Sequence, residues 1–229
     1  MLIDKRIHSQ VQMSESLIVG SILALSGGYM DAYTYLFRDG VFANAQTGNM
    51  ILFGIHLSEG NLKGSLRYFF PVISFVLGVF LAQLLRMRLK NSIRLHWRQI
   101  AVALEIIVLS AVAFLGTDLN LLANSMVSFA CGIQVQSFRK IHGNSLATTM
   151  CIGNIRSATD LLCTYLHVKE KQILFKSLLY YGIILIFIAG AVLGNIGIKR
   201  LNQKAVLFCP FLLMIVFVLM LGRKQLDGE

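Results

Sequence analysis

"GGYMDAYTYLFRDGVFANAQTGNM", residues 27–50, follows the apolar run LIVGSILALS and is too polar to continue it across a bilayer. It holds Asp31, three tyrosines, two asparagines and four glycines. How it is read decides between eight crossings of a membrane and six crossings with two segments that turn back.

That a membrane is involved follows from composition. Of 229 residues, 56% are hydrophobic and 14% charged, against about 45–50% and about 25% in soluble domains. Such a chain cannot cover its apolar surface with polar groups, so lipid is the expected solvent. Two prolines, no low-complexity tract and no polar linker predict one membrane domain over 1–229. The first sixteen residues are polar, and the apolar run behind them lacks a small-residue cleavage site. The first span is therefore expected to be retained.

A crossing helix needs about 20 apolar residues. Six stretches approach that length: Leu17–Leu36, Tyr68–Leu85, Ile100–Leu115, Leu121–Phe138, Leu178–Ile198 and Ala205–Leu221. Two more, Val41–Leu57 and Ser145–His167, are interrupted by polar residues and glycine. Lys and Arg concentrate in cytoplasmic loops, which discriminates between the topologies. If all eight crossed, nine basic residues would lie inside and eleven outside, with Arg156 within a segment and the cluster Arg86, Arg88, Lys90, Arg94 and Arg98 outside, starting from Lys5 and Arg6 inside. If the interrupted segments turn back, only Arg38, Lys63, Arg67, Lys199, Arg200 and Lys204 lie outside, and the other fifteen lie inside. The reading is an all-α polytopic protein of the cytoplasmic membrane, with six spans, two re-entrant or broken segments, and both termini cytoplasmic. The net charge of +10 then faces anionic headgroups, and nucleic acid is not an expected partner.

The opening stretch also has an echo. A shift of 105 positions lays it without a gap on "GIQVQSFRKIHGNSLATTMCIGNI", residues 132–155. Gly27 falls on Gly132, Asp31 on Gln136, Gly48 on Gly153 and Asn49 on Asn154. FVLGVFLAQ at 75–83 resembles FIAGAVLGN at 187–195. Repeats over about 14–116 and 119–222 would each cross three times, so the halves would be inverted, as in many secondary transporters whose sites lie at midplane breaks.

Non-helical backbone at membrane depth must be buried in protein or line a cavity. Asn44, Gln46, Thr47 and Asn49, with Gln136, Thr148, Thr149 and Asn154, are the candidate binding groups for a small solute or ion. Asp31 is the sharpest, because a carboxylate in a span costs about 2.5–3.5 kcal/mol and commonly serves transport or proton relay. Proton or cation coupling through Asp31 is the expected mechanism, and a structural pairing of the carboxylate is the competing reading. Arg156 and Asp160, four apart, are read as a helical ion pair. Glu105 is either a second protonatable group or a residue near the headgroups. Gly20, Ala24 and Gly28, then Gly78 and Ala82, Ser128 and Gly132, and Gly190 and Gly194 form small-residue stripes for helix packing.

Cys131, Cys151, Cys163 and Cys209 read as buried small hydrophobes, with no disulfide framework. His8, His56, His96, His142 and His167 are scattered, so no metal or other cofactor is expected. No hydrolase, zincin or phosphate-loop motif occurs, and no enzymatic role is expected. The expected partners are the bilayer and a small solute or ion, with a second copy of the chain as a candidate. The alternative is a non-transporting scaffold or assembly factor that binds a protein or lipid through the polar segments.

The glycine-rich span ending in Asp31, then VFANAQTGN, GIQVQSF and TTMCIGNIRSATDLL, is similar over residues 14–222 to the YoaK family of bacterial membrane proteins, a domain of unknown function. The resemblance rests on Asp31, Thr47, Gly48 and Asn49, and later on Gly132, Gln134, Thr148, Thr149 and Gly153. It implies an inner-membrane protein, sometimes given a transporter label, with no established substrate. Members usually carry threonine before the second glycine, where this chain has Ile152.

Overall fold

A computed structural model describes residues 13–89, 96–141 and 146–222. Lys5, Arg6, His8, Lys90, Arg94, His142 and the first residue of the expected 145–167 segment lie outside them. The described residues form eight α-helices and no β-strand: α1 (Leu17–Phe37), α2 (Gln46–Ser58), α3 (Leu62–Leu89), α4 (Trp97–Val112), α5 (Asn120–Ser137), α6 (Cys151–Val168), α7 (Lys171–Leu201) and α8 (Phe208–Gly222). The all-α class is as expected.

Hydrogen bonds between distant residues order these helices end to end. At one end the Arg98 guanidinium, in the first turn of α4, donates to Ser14 Oγ (2.6 Å), Glu15 Oε1 (3.0 Å) and Ser137 O (3.0 Å). The starts of α1 and α4 therefore meet the finish of α5. At the other end Arg38, just past α1, donates to Leu115 O (2.8 Å), Gly116 O (2.9 Å) and Asn120 Oδ1 (3.0 Å). α1 and α4 thus run one way and α5 the other. The amide of Gln83, near the end of α3, accepts from Gln136 Nε2 at 2.7 Å, so α3 finishes with α5. Tyr33 OH donates to Gln203 O (3.0 Å), which brings the finish of α7 to the Arg38 end. Gln203 Nε2 donates to Ala113 O (2.9 Å) and Gln99 Nε2 to Met220 O (3.2 Å), so α8 returns along α4. The stretch Lys171–Leu221 is helical almost throughout, yet it folds back at Asn202, whose φ is +48°, and makes two passes.

α2 and α6 behave differently. After α1 ends at Phe37, the chain returns in an extended arm until Asn44 donates its backbone N–H to Asp31 Oδ1 (2.7 Å) and its side-chain amide to Gly27 O (3.2 Å), halfway back along α1. α2 starts there and runs outward to α3, with Phe53 tilted against Phe69 and His56 stacked on Tyr68. Its 13 residues span about 20 Å, short of the roughly 30 Å hydrocarbon core. α6 starts at the same depth, where the Thr149 methyl lies against Gly27. It runs to the Arg98 end beside α7, whose Ser177 Oγ donates to Ala158 O (2.7 Å). The two arms thus approach the centre from opposite ends.

Four glycines permit the closest crossings. A Cβ on Gly28 would strike Phe187 O and one on Gly190 would strike Leu25 O, where α1 meets α7. Gly78 faces Phe129 O and Gly132 faces Phe75 O where α3 meets α5. The small-residue stripes therefore bring backbones together as lipid-embedded helices require. Around a core that includes Met30, Tyr33, Leu109, Val127 and Leu213, the outer faces stay apolar, with Phe80, Ile107, Leu185 and Phe211 exposed. Leu62–Leu89 and Lys171–Leu221 are long and apolar enough to cross a membrane.

Candidate functional site

The starts of α2 and α6 face each other across a chamber of about 850 Å³. Asp31, Asn44, Gln46 and Thr47 line it from one half of the chain; Gln136, Thr148, Thr149 and Asn154 line it from the other. Phe75, Val135, Phe138 and Phe187 supply apolar wall. Of the nine binding candidates, Asn49 is the one that stands away from it, fully buried.

Asn49 works on the arm instead. Its Oδ1 accepts from Phe42 N (3.0 Å), and its Nδ2 donates to Phe42 O (2.7 Å) and Gln46 Oε1 (2.9 Å). In the other half Asn154 Nδ2 donates to Ala147 O (2.6 Å). Phe42 and Ala147 each precede their asparagine by seven residues and are 105 apart, as are the first residues of α2 and α6, Gln46 and Cys151. Each asparagine therefore clips an extended arm to the first turn of the helix behind it. That gives the non-helical backbone the partners it needs away from water. Asn49→Ala, losing three bonds, is expected to cost roughly 2–3 kcal/mol and Asn154→Ala roughly 1–2 kcal/mol, measured as thermal melting of the detergent-solubilised protein.

The two halves differ at the helix starts. Asp31 holds the turn that leads into α2: its carboxylate accepts from the Asn44 amide, two residues before the first helical residue. In the same turn Gln46 N donates to Asn44 O (2.8 Å) and Gly48 N to Ala45 O (2.9 Å). Among the described residues Cys151 and Gly153 make no matching bonds, although neither helix start carries a side-chain cap bond. The Thr148 and Thr149 hydroxyls beside them are buried without a partner.

The crossings correct the expected pairing of Asp31 with Gln136. Gly132 does against α3 what Gly28, not Gly27, does against α7. Counted from these two glycines, the helices are one residue out of register with the 105-residue shift that fits the arms, and the count lays Val135, not Gln136, on Asp31. Gln136 is engaged with Gln83.

Several other expectations change. Arg156 and Asp160 lie exposed on α6 and are not paired; the ion pairs among the described residues are Arg98 with Glu15 (3.0 Å) and His56 with Glu59 (3.5 Å, ionic when the histidine is protonated). Glu105 lies inside α4, fully buried with neither oxygen bonded, and does not line the chamber. Cys131 and Cys209 are buried, but Cys151 is half-buried and Cys163 exposed on α6. No group of three His, Cys, Asp or Glu among the described residues is placed to hold a metal ion. Arg38, which the charge count places among the basic residues on the outer side, is fully buried. Its one sequence signal is that it stands at the end of an apolar span, where arginines ordinarily reach for headgroups.

A family model described as protein of unknown function (DUF1275) matches residues 19–219. The chain is similar to the UPF0700 transmembrane protein YoaK of Bacillus subtilis (strain 168), with 24% identity over 216 residues, covering 91% of this chain and 95% of that protein. No solved structure matches.

Proposed function

We propose that this chain, which belongs to the DUF1275 family, is a multi-pass membrane carrier that moves a small solute or ion through the chamber between α2 and α6. The observation that carries the reading is that the chamber is walled jointly by the starts of two short helices whose arms approach from opposite ends. A site reached by one broken segment from each side is what alternating access requires, because closing one arm and opening the other changes the exposed side.

The proposed topology is six crossings (α1, α3, α4, α5, α7 and α8) and two re-entrant segments, α2 from outside and α6 from the cytoplasm. Its support is the apolar exterior, the transmembrane relative, and the basic residues Arg86, Arg88, Arg139 and Lys140 near the Arg98 end. Both termini then lie in the cytoplasm. The two halves, 14–116 and 119–222, form one domain as inverted repeats, supported by the paired clips and the paired glycine crossings. No cofactor or catalytic role enters this reading.

Asp31 couples the transport. As a carboxylate it holds the arm of α2 through the Asn44 amide, and taking up a proton or cation weakens that hold and frees the arm to move. Proteoliposomes loaded with a pH dye and screened with amino acids, carboxylates, polyols and nucleobases report solute-driven proton movement. Asp31→Asn is expected to lower that movement about tenfold or more while solute still binds; proton-driven transport at the original rate in the variant would overturn the mechanism. The scaffold reading draws support from the satisfied state of Asp31 and both asparagines. The open chamber and its unpartnered threonines weigh against it.

A further inference from the structure

We infer that the solute carries a carboxylate, and that this carboxylate seats on the open start of α6 beside Thr148 and Thr149, as Asp31 seats on the turn that leads into α2. The inference rests on the carrier reading and names the substrate class of the same chamber.

The asymmetry of the two halves carries the argument. A helix start presents unbonded N–H groups and a partial positive charge, which together bind anions. At α2 the turn leading into that place is held by the protein's own carboxylate. At α6, an 18-residue helix, it is not: α5 brings Val135 and Gln136, not an acid, to the chamber, and the Cys151 and Gly153 amides lack the local bonds made by Gln46 and Gly48. Two hydroxyls complete the place. Thr148 is 2% and Thr149 6% exposed, both line the chamber, and both oxygens lack a partner. Buried hydroxyls left unbonded are costly, and an arriving carboxylate removes that cost by accepting from them.

The surroundings select the rest of the solute. A second cavity of about 260 Å³ at the Arg98 end shares Gln136 and Arg139 with the chamber, and Arg86 and Lys140 also line it. Its acid, Glu15, is already paired with Arg98, so the approach to α6 is net positive and draws anions from that side. Phe75, Phe138 and Phe187 offer the body of the solute an apolar wall, and Asp31 stands across the chamber. A multiply charged anion would meet that aspartate, whereas a monocarboxylate travelling with one proton on Asp31 crosses without net charge. A small carboxylic acid with a hydrocarbon body fits all four features.

Matched acid and amide probes test this. With the full chain in detergent, benzoate, lactate and hydrogen succinate are compared with benzamide, lactamide and succinamide by thermal shift. At least one acid is expected to raise the melting temperature where its amide does not. Thr149→Val is expected to weaken that acid about tenfold or more, and Thr149→Ser to retain it. Val135→Asp, which supplies an internal carboxylate to α6, is expected to abolish acid binding; should it not fold, the Thr149 pair decides. Amides that stabilise as well as acids, no stabilisation by any acid, stabilisation by sulfate or phosphate alone, or an unchanged affinity in Thr149→Val would each overturn the inference. Acid binding without flux in vesicles would instead overturn the carrier reading, and flux of a neutral or cationic solute without acid binding would leave the carrier and remove the carboxylate.

Discussion

Arg38→Met is expected to destabilise the protein by about 4 kcal/mol or more, enough to leave little monodisperse material in mild detergent. All five guanidinium donors are engaged. Nε donates to Tyr33 OH (3.0 Å), one terminal nitrogen to Gly116 O (2.9 Å) and Asn120 Oδ1 (3.0 Å), and the other to Val112 O (3.3 Å) and Leu115 O (2.8 Å). Three of the acceptors are main-chain carbonyls at and just beyond the finish of α4, Val112 being its last residue, where a helix end carries partial negative charge. Arg38 thus caps α4 from the end of α1 and holds the start of α5, while Asn124 Nδ2 donates back to Arg38 O (2.6 Å). A methionine fills the volume but withdraws all five bonds from a fully buried position; Val112 O and Gly116 O keep their main-chain bonds from Leu115 N and Leu119 N, whereas Leu115 O and Asn120 Oδ1 lose the donor that Arg38 supplied. Arg38→Lys restores the charge with three donors at one point and is expected to recover part of the loss. Arg156→Met, on an exposed residue of α6, is the control and should stay within about 0.5 kcal/mol. Equal melting temperatures for the Arg38 and Arg156 variants would refute the account.

Why Arg38 escaped a reading of the sequence is physical. An arginine at the end of an apolar span satisfies its donors equally well with headgroups or with a neighbouring helix terminus, and the two cases have the same local sequence. The turning-back of α2 was legible for the opposite reason. Backbone that leaves a helix inside a bilayer needs partners at a fixed spacing, and Asn49 seven residues after Phe42 has its counterpart in Asn154 seven after Ala147. The register between halves was only partly legible. Gly27 and Gly28 are adjacent, so either can be laid on Gly132, and only the contact with Phe187 O selects Gly28. That single residue moves the counterpart of Asp31 from Gln136 to Val135, which is why the bare start of α6 emerged from the packing and not from the alignment. Helix ends were misjudged for a related reason: α3 and α7 extend beyond their apolar windows, to Leu62–Leu89 and Lys171–Leu201, since polar turns cost nothing once outside hydrocarbon.

Gly28→Val and Gly132→Val are expected to cost about 3 kcal/mol or more each, read as lowered melting temperature. The added carbon would meet a main-chain oxygen, Phe187 O or Phe75 O respectively, and no side-chain rotation can move a carbonyl held in a helix. The helices must part, and in lipid no hydrophobic force pulls them together again. Gly182→Ala gives the contrast. Nothing lies within 4 Å of its would-be Cβ, so the alanine is expected to stabilise α7 by about 0.5–1 kcal/mol through lost backbone freedom in the unfolded chain. The damage at Gly28 should extend beyond stability. The crossing it permits brings Asp31 on α1 and Phe187 on α7 to the same chamber, so a wedge there separates the polar wall from the apolar wall while leaving both asparagine clips intact. A Gly28→Val protein rescued by low temperature is therefore expected to keep its helices by circular dichroism and to lose carboxylate stabilisation. Retained binding in such a protein would mean that the arms alone, and not the crossing of α1 with α7, shape the site.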